Sequence, residues 1–137
     1  MTGIDDLGRS CVLREREVAP AKLVEGLHVD AIFRTRSSPP DPRPQGHGDL
    51  VDLGLRAGQC SLAVWRFEPG AEVGMHQTDS LDFDVVLEGA IDLILDDGAH
   101  PLSPGDAVVM TGVDHSWLAG AQGCILIATS VGSSPRD

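Results

Sequence analysis

Gly, Pro and Asp break this chain so often that little besides short strands fits between the breaks. Glu68-Pro69-Gly70, Glu88-Gly89, Asp96-Asp97-Gly98 and Ser103-Pro104-Gly105-Asp106 each carry turn chemistry. The runs between them are rich in Val, Ile, Leu and aromatic residues and tend to alternate apolar with polar. Strands are expected over 50–55, 60–67, 72–78, 82–87, 90–95, 107–110, 115–118 and 124–131. Asp97-Gly98 is a strong hairpin signal. Short strands about 8–12 residues apart point to an all-β sandwich or barrel, and the antiparallel double-sheet jelly roll is the expected architecture.

The first 48 residues read differently from the rest. Strands are expected over 9–15 and 28–35. The stretch EVAPAKLVEGL at 17–27 offers one short turn of helix after Pro20. The segment 37–49, SSPPDPRPQGHGD, holds Pro39, Pro40, Pro42 and Pro44 and is expected to be a loop of polyproline character. The organisation expected is one structural domain. Residues 49–137 form the barrel, and residues 1–48 supply strands and the Pro-rich loop that pack on or extend it. At 137 residues the chain is long enough to bury a core without staples.

Charge narrows the partners. The net charge is −11, and it is unevenly distributed. No Lys or Arg occurs between Arg66 and Arg136, while Glu68, Glu72, Asp79, Asp82, Asp84, Glu88, Asp92, Asp96, Asp97, Asp106 and Asp114 fall there. Such a surface repels phosphate backbones and anionic lipid, so neither nucleic acid nor membrane is expected as a partner. No apolar run reaches the roughly 18–20 residues of a membrane helix. The acidic start, MTGIDDLGRS, does not resemble a secretory signal. Cys11, Cys60 and Cys124 are odd in number and far apart, which fits free thiols and a cytoplasmic protein.

The chemistry gathers in PGAEVGMHQTDSLDFDVVLEG at 69–89. His76 and Thr78 are two apart on one expected strand and share a face, as do Asp82 and Asp84 on the next. A hairpin is expected to set these two strands side by side. His115 opens a later strand. Two imidazoles and a carboxylate converging inside a barrel form a facial set suited to Fe(II), Mn(II), Ni(II) or Zn(II), with positions left open for substrate. Asp82 and Asp84 on one face repel, which is expected to raise the pKa of one unless a cation sits between them.

These residues resemble the two motifs of the cupin superfamily. In the first, Gly70 is followed by five residues and His76, Asp82 stands at the Glu position, and after six intervening residues comes Gly89. In the second, Pro104-Gly105-Asp106 leads to Gly112 and, after two intervening residues, His115. The resemblance covers about residues 60–131 and looks most like small single-domain RmlC-like cupins. It implies that His76, Asp82 and His115 bind a divalent metal (Fe, Mn, Ni or Zn), and that the chain forms a homodimer. The chain departs from the pattern at three points. Thr78 stands where a second histidine is usual and keeps only a place in the pocket. Asp82 is one methylene shorter than Glu, and Met110 replaces a proline. Asp84 is the alternative to Asp82, and Asp79 in the loop is a further candidate.

The catalytic candidates are Asp82 and Asp84, whichever is not a ligand serving as general base. Trp117, two residues after His115, is expected to line the pocket beside Thr78. Trp65, Phe67 and Phe83 are read as core, Met75 and Met110 as packing residues, and His28, His47 and His100 as surface imidazoles. Residues 67–135 hold no cation to clamp a phosphate, although Arg34, Arg36 and Arg66 come from earlier strands. A small, mostly uncharged hydroxylated or keto substrate is therefore expected, with oxygenase, isomerase, cyclase or lyase chemistry open. The alternatives are a non-catalytic ligand-binding cupin and a metal-free acid/base isomerase.

Overall fold

The computed structural model describes residues 1–134. Eleven strands form among them: β1 (Thr2–Ile4), β2 (Ser10–Val12), β3 (Ala21–Val24), β4 (Leu27–Val29), β5 (Asp49–Val51), β6 (Cys60–Phe67), β7 (Glu72–Thr78), β8 (Ser80–Leu95), β9 (Gly98–Leu102), β10 (Ala107–Met110) and β11 (His115–Gly132). Strands β6, β7 and β10 coincide with the alternating runs in the sequence. No helix among the described residues is long and apolar enough to cross a membrane.

The architecture is an all-β jelly roll in which β8 and β11 each serve two walls. The first half of β8 pairs with β10 and with residues 124–132 of β11, which also pair with β6. The second half of β8 pairs with β9 and with residues 116–119 of β11, while β7 pairs with β11 at residues 115–118 and β5 lies parallel to β7. The core lies between these walls and includes Val86, Leu93, Met110, Val113, Trp117 and Leu126.

The turn expected at Glu88-Gly89 and the break expected between strands 115–118 and 124–131 are therefore bulges within continuous strands. Inward positions on β8 are 82, 84 and 86 before Gly89 but 91, 93 and 95 after it. On β11 they are 115, 117 and 119, then 124, 126, 128 and 130. The phase changes where Gly89 lies against Gly123. Both have positive φ, and a Cβ on Gly89 would stand 2.0 Å from the Gly123 carbonyl oxygen. Extra residues at a bulge reset the two-residue period, so one strand can feed two inward faces.

The N-terminal third departs further from the sequence reading. The stretch expected to begin a helix instead forms the β3–β4 hairpin, in which Glu25-Gly26 turns the chain and Ala21 pairs with Val29. Strand β4 stops at Val29, short of residue 35. Asp30 accepts the Ala19 N–H at 2.8 Å and binds the Arg16 guanidinium. The β1–β2 hairpin is tied to the barrel at two places. Thr2 Oγ1 accepts the Thr111 N–H at 3.0 Å, and Ser10 exchanges bonds with Asp96 at 2.7 and 2.9 Å. Residues 30–48 form no strand or helix, and Phe33 packs against Phe83 at 5.8 Å between ring centroids.

Candidate functional site

His76 and His115 face each other directly across β7 and β11, with ring centroids 4.1 Å apart. The register slips between this pair and Trp117↔Val73, an extra residue falling on β7. The bulge turns Val73 and His76 toward the same cavity and leaves Met75, expected to pack, 39% exposed. Both imidazoles are buried, and each is oriented by its own strand. His76 Nδ1 donates to the Gly74 carbonyl at 2.8 Å and His115 Nδ1 to the Val113 carbonyl at 2.7 Å. A carbonyl only accepts, so Nδ1 of each ring carries a proton, and in an uncharged ring Nε2 then carries the lone pair. Burial, then the neighbouring His76, pushes the His115 pKa down to about 4. At neutral pH that ring is uncharged.

Asp82 and Asp84 reach the cavity from the opposite wall. Strands β7 and β8 are joined through Asp79 alone yet do not pair, contrary to the expected hairpin. Asp82 instead pairs with Met110 and Ser130, and Asp84 with Val108 and Ala128. Burial pushes the Asp82 carboxyl up, with hydrogen bonds from Ser130 and Ser80 and the His76 ring working against the shift. Asp84 is pushed up to about 8, first by burial and second by the Asp82 charge. The repulsion expected between the two is present, and burial exceeds it.

These groups line one cavity of about 290 Å³, together with Thr78, Trp117, Trp65, Phe67, Val73, Val51, Leu53 and Arg66. Trp65 and Phe67, read as core, also pack against the core cluster from the cavity wall. Of the sequence candidates, Asp79 does not line the cavity, and neither do Arg34 and Arg36. His28 and His47 are exposed, and His100 pairs with Asp97 at 2.7 Å. Cys60 is exposed, Cys11 half-buried and Cys124 buried, all three as free thiols.

Sequence reasoning missed Gln77 and Asp114. Gln77 follows His76, Asp114 precedes His115, and both are buried. The Asp114 carboxylate accepts the His47 N–H at 2.6 Å and the Gly48 N–H at 3.1 Å. Gln77 accepts the Gly46 N–H at 2.9 Å and donates to the Gly48 carbonyl at 2.7 Å. Together they bind the 46–48 segment against β7, with positions 46 and 48 too close to their neighbours for a Cβ. A Cβ on Gly46 would lie 2.1 Å from the Asp114 carboxylate. For Gln77 the signal was positional, since strand alternation turns the neighbour of an inward histidine to the other face, whereas Asp114 lies just before β11 and gave no such signal.

The donors have the chemistry of a divalent-metal site: two imidazoles with free Nε2 atoms and a buried carboxylate, Asp82, whose Oδ1 has no protein partner. Among the described residues, however, no group of three or more His, Cys, Asp or Glu stands close enough together to hold a metal ion. The imidazoles adjoin, and the carboxylate lies on the other wall.

Comparisons with known proteins agree with this architecture. The family model described as "Cupin domain" matches residues 63–127. The phomopsin biosynthesis cluster protein D of Diaporthe leptostromiformis is 44% identical over 112 residues, covering 74% of this chain and 58% of that protein. The cupin-domain-containing oxidoreductase fogC of Aspergillus ruber is 29% identical over 86% of this chain and 62% of its own length. The chain thus spans less than two thirds of either relative. Among solved structures, an RmlC-like cupin from Shewanella frigidimarina is similar, with a TM-score of 0.48 and 28% identity over 54% of this chain and 67% of that one. With its jelly-roll walls, its histidines at motif spacing and the family match across the barrel, the chain belongs to the cupin superfamily.

Proposed function

We propose that this chain is a small cupin enzyme acting on a mostly apolar, uncharged organic molecule. The reading is carried by the pair of buried imidazoles, each with Nδ1 tied to a backbone carbonyl and Nε2 free, in a cavity otherwise walled largely by Trp, Phe, Val and Leu. Relatives named for biosynthetic clusters and for an oxidoreductase support it. His76 and His115 would hold a divalent ion (Fe, Mn, Ni or Zn) through Nε2, and Asp82 Oδ1 would serve as third donor only by approaching from the other wall. Bound there, such an ion supplies Lewis-acid polarisation of a substrate oxygen. Asp84 keeps its proton at neutral pH and serves as a general acid that can be recharged near pH 8. Trp65, Phe67 and Trp117 exclude water from the reacting face.

One observation favours a second reading. The carboxylates lie across the cavity from the imidazoles, and among the described residues no three donors gather. In that reading neutral His115 is the base and protonated Asp84 the acid of a metal-free isomerisation. Elemental analysis of untagged protein separates the two, alongside His76→Ala and His115→Ala. Near-stoichiometric metal lost in both variants is the result expected from the first reading. No uptake after reconstitution with each of the four ions rejects it and leaves the acid/base reading, in which chelators do not affect turnover.

A further inference from the structure

Among the described residues, three buried polar side-chain atoms have no hydrogen-bond partner: Asp82 Oδ1, Asp84 Oδ1 and Trp117 Nε1. Asp82 Oδ1 is accounted for above as a donor. Asp84, given above only a proton-transfer role, and Trp117 still lack a hydrogen-bond partner for these atoms, and a buried polar atom left unpaired is unfavourable unless a ligand completes it. Trp117 is 1% exposed and Asp84 5%, and both line the cavity. An indole N–H only donates, so its missing partner is an acceptor. A carboxyl in either protonation state pairs with a hydroxyl, which both donates and accepts. The two atoms belong to opposite walls. Trp117 pairs with Val73 and Leu93, and Asp84 with Val108 and Ala128. Arg66, the one Lys or Arg in the described lining, is solvent-exposed. The volume of about 290 Å³ equals roughly ten waters at about 30 Å³ each, room for one ring with short substituents.

We propose that the cavity selects an uncharged aryl compound carrying a carbonyl oxygen for Trp117 Nε1 and, at its far end, a hydroxyl for Asp84. Trp65 and Phe67 supply the flat apolar contact between these ends. The proposal rests on the reading of this cavity as the substrate site, and it adds two specificity-determining residues that no metal-ligand argument requires.

The test uses matched probes and calorimetric titration of the full chain. 4-Hydroxyacetophenone carries both groups, 4-ethylphenol lacks the carbonyl, acetophenone lacks the hydroxyl, and 2-hydroxyacetophenone pairs its two groups internally. The first is expected to bind roughly five- to tenfold tighter than each of the others. Trp117→Phe should abolish its advantage over 4-ethylphenol and keep its advantage over acetophenone, and Asp84→Ala should do the converse. Equal affinities for all four, or no binding at millimolar concentration, overturn the proposal without any variant having to fold. An advantage over 4-ethylphenol that survives Trp117→Phe overturns the assignment to that indole. Metal uptake is read on the same wild-type samples. Uptake without probe preference overturns this proposal alone, and preference without uptake overturns the metal reading alone.

Discussion

Asp114 offers a quantitative test of how the site is held. Its carboxylate is 4% exposed and accepts two backbone N–H groups, from His47 at 2.6 Å and Gly48 at 3.1 Å. The segment it holds leads directly into β5, where Asp49 pairs with His76, and then to Val51 and Leu53 in the cavity lining. Hydrogen bonds to a charged acceptor contribute roughly 1.5–3 kcal/mol each, so losing both costs about 3–6 kcal/mol. His47 is exposed and Gly48 half-buried, so water recovers part of this and places Asp114→Ala near the lower end, about 3 kcal/mol. Asp114→Asn keeps one acceptor oxygen without the charge and is expected to lose about half as much. Urea unfolding measures both as shifts in midpoint at constant slope. Amide hydrogen exchange should quicken at residues 46–51 and stay slow where β6 pairs with β11. A loss below about 1 kcal/mol for Asp114→Ala, with the Gly48 amide still protected, would refute the reasoning.

Other predictions follow from the same structure. Asp84 has a folded pKa of about 8 against an ordinary 3.8, so the folded chain holds a proton that the unfolded chain releases between those values. Its stabilising effect is present below about pH 4 and is lost as pH rises toward 8. Asp84→Asn should therefore gain stability over wild type increasingly from pH 5 to 8 in thermal unfolding, and a pH-independent difference would count against the burial argument. His115 has the opposite sign: with its pKa lowered from 6.5 to about 4, stability falls as pH drops through that window. His115→Gln should flatten that acid-side slope. Gly89→Ala introduces a Cβ 2.0 Å from the Gly123 carbonyl oxygen at a positive φ, and a loss of roughly 2–4 kcal/mol by urea unfolding is expected. Leu62 and Val64 stand 74% and 66% exposed on the outer face of β6. If that face joins two copies, Leu62→Glu with Val64→Glu should convert a light-scattering dimer to a folded monomer, and a monomeric wild type at micromolar concentration removes the idea.

Much of the barrel was legible because turn residues and two-residue alternation are local. CSLAVWRF and EVGMHQT read directly as β6 and β7, and the spacings of His76 and His115 placed both rings inward. Glu88-Gly89 misled because a glycine at positive φ serves a turn and a bulge equally. Only Gly123 running alongside makes it a bulge. EVAPAKLVEGL misled because a helical turn and a hairpin differ there by pairing between Ala21 and Val29, which no short window contains.

The sequence by itself determined the residue types at the site, their inward phase within each strand, and the all-β class. Those follow from side-chain chemistry and from a period of two along the backbone. Only the tertiary structure decided that Asp82 and Asp84 come from the wall opposite His76 and His115, and that Gln77 and Asp114 hold residues 46–48 beside them. Strand partners are chosen over distances of tens of residues, by the burial of a shared core and the pairing of backbone groups. The chain could therefore state which residues face inward, while the closed barrel settled which of them meet.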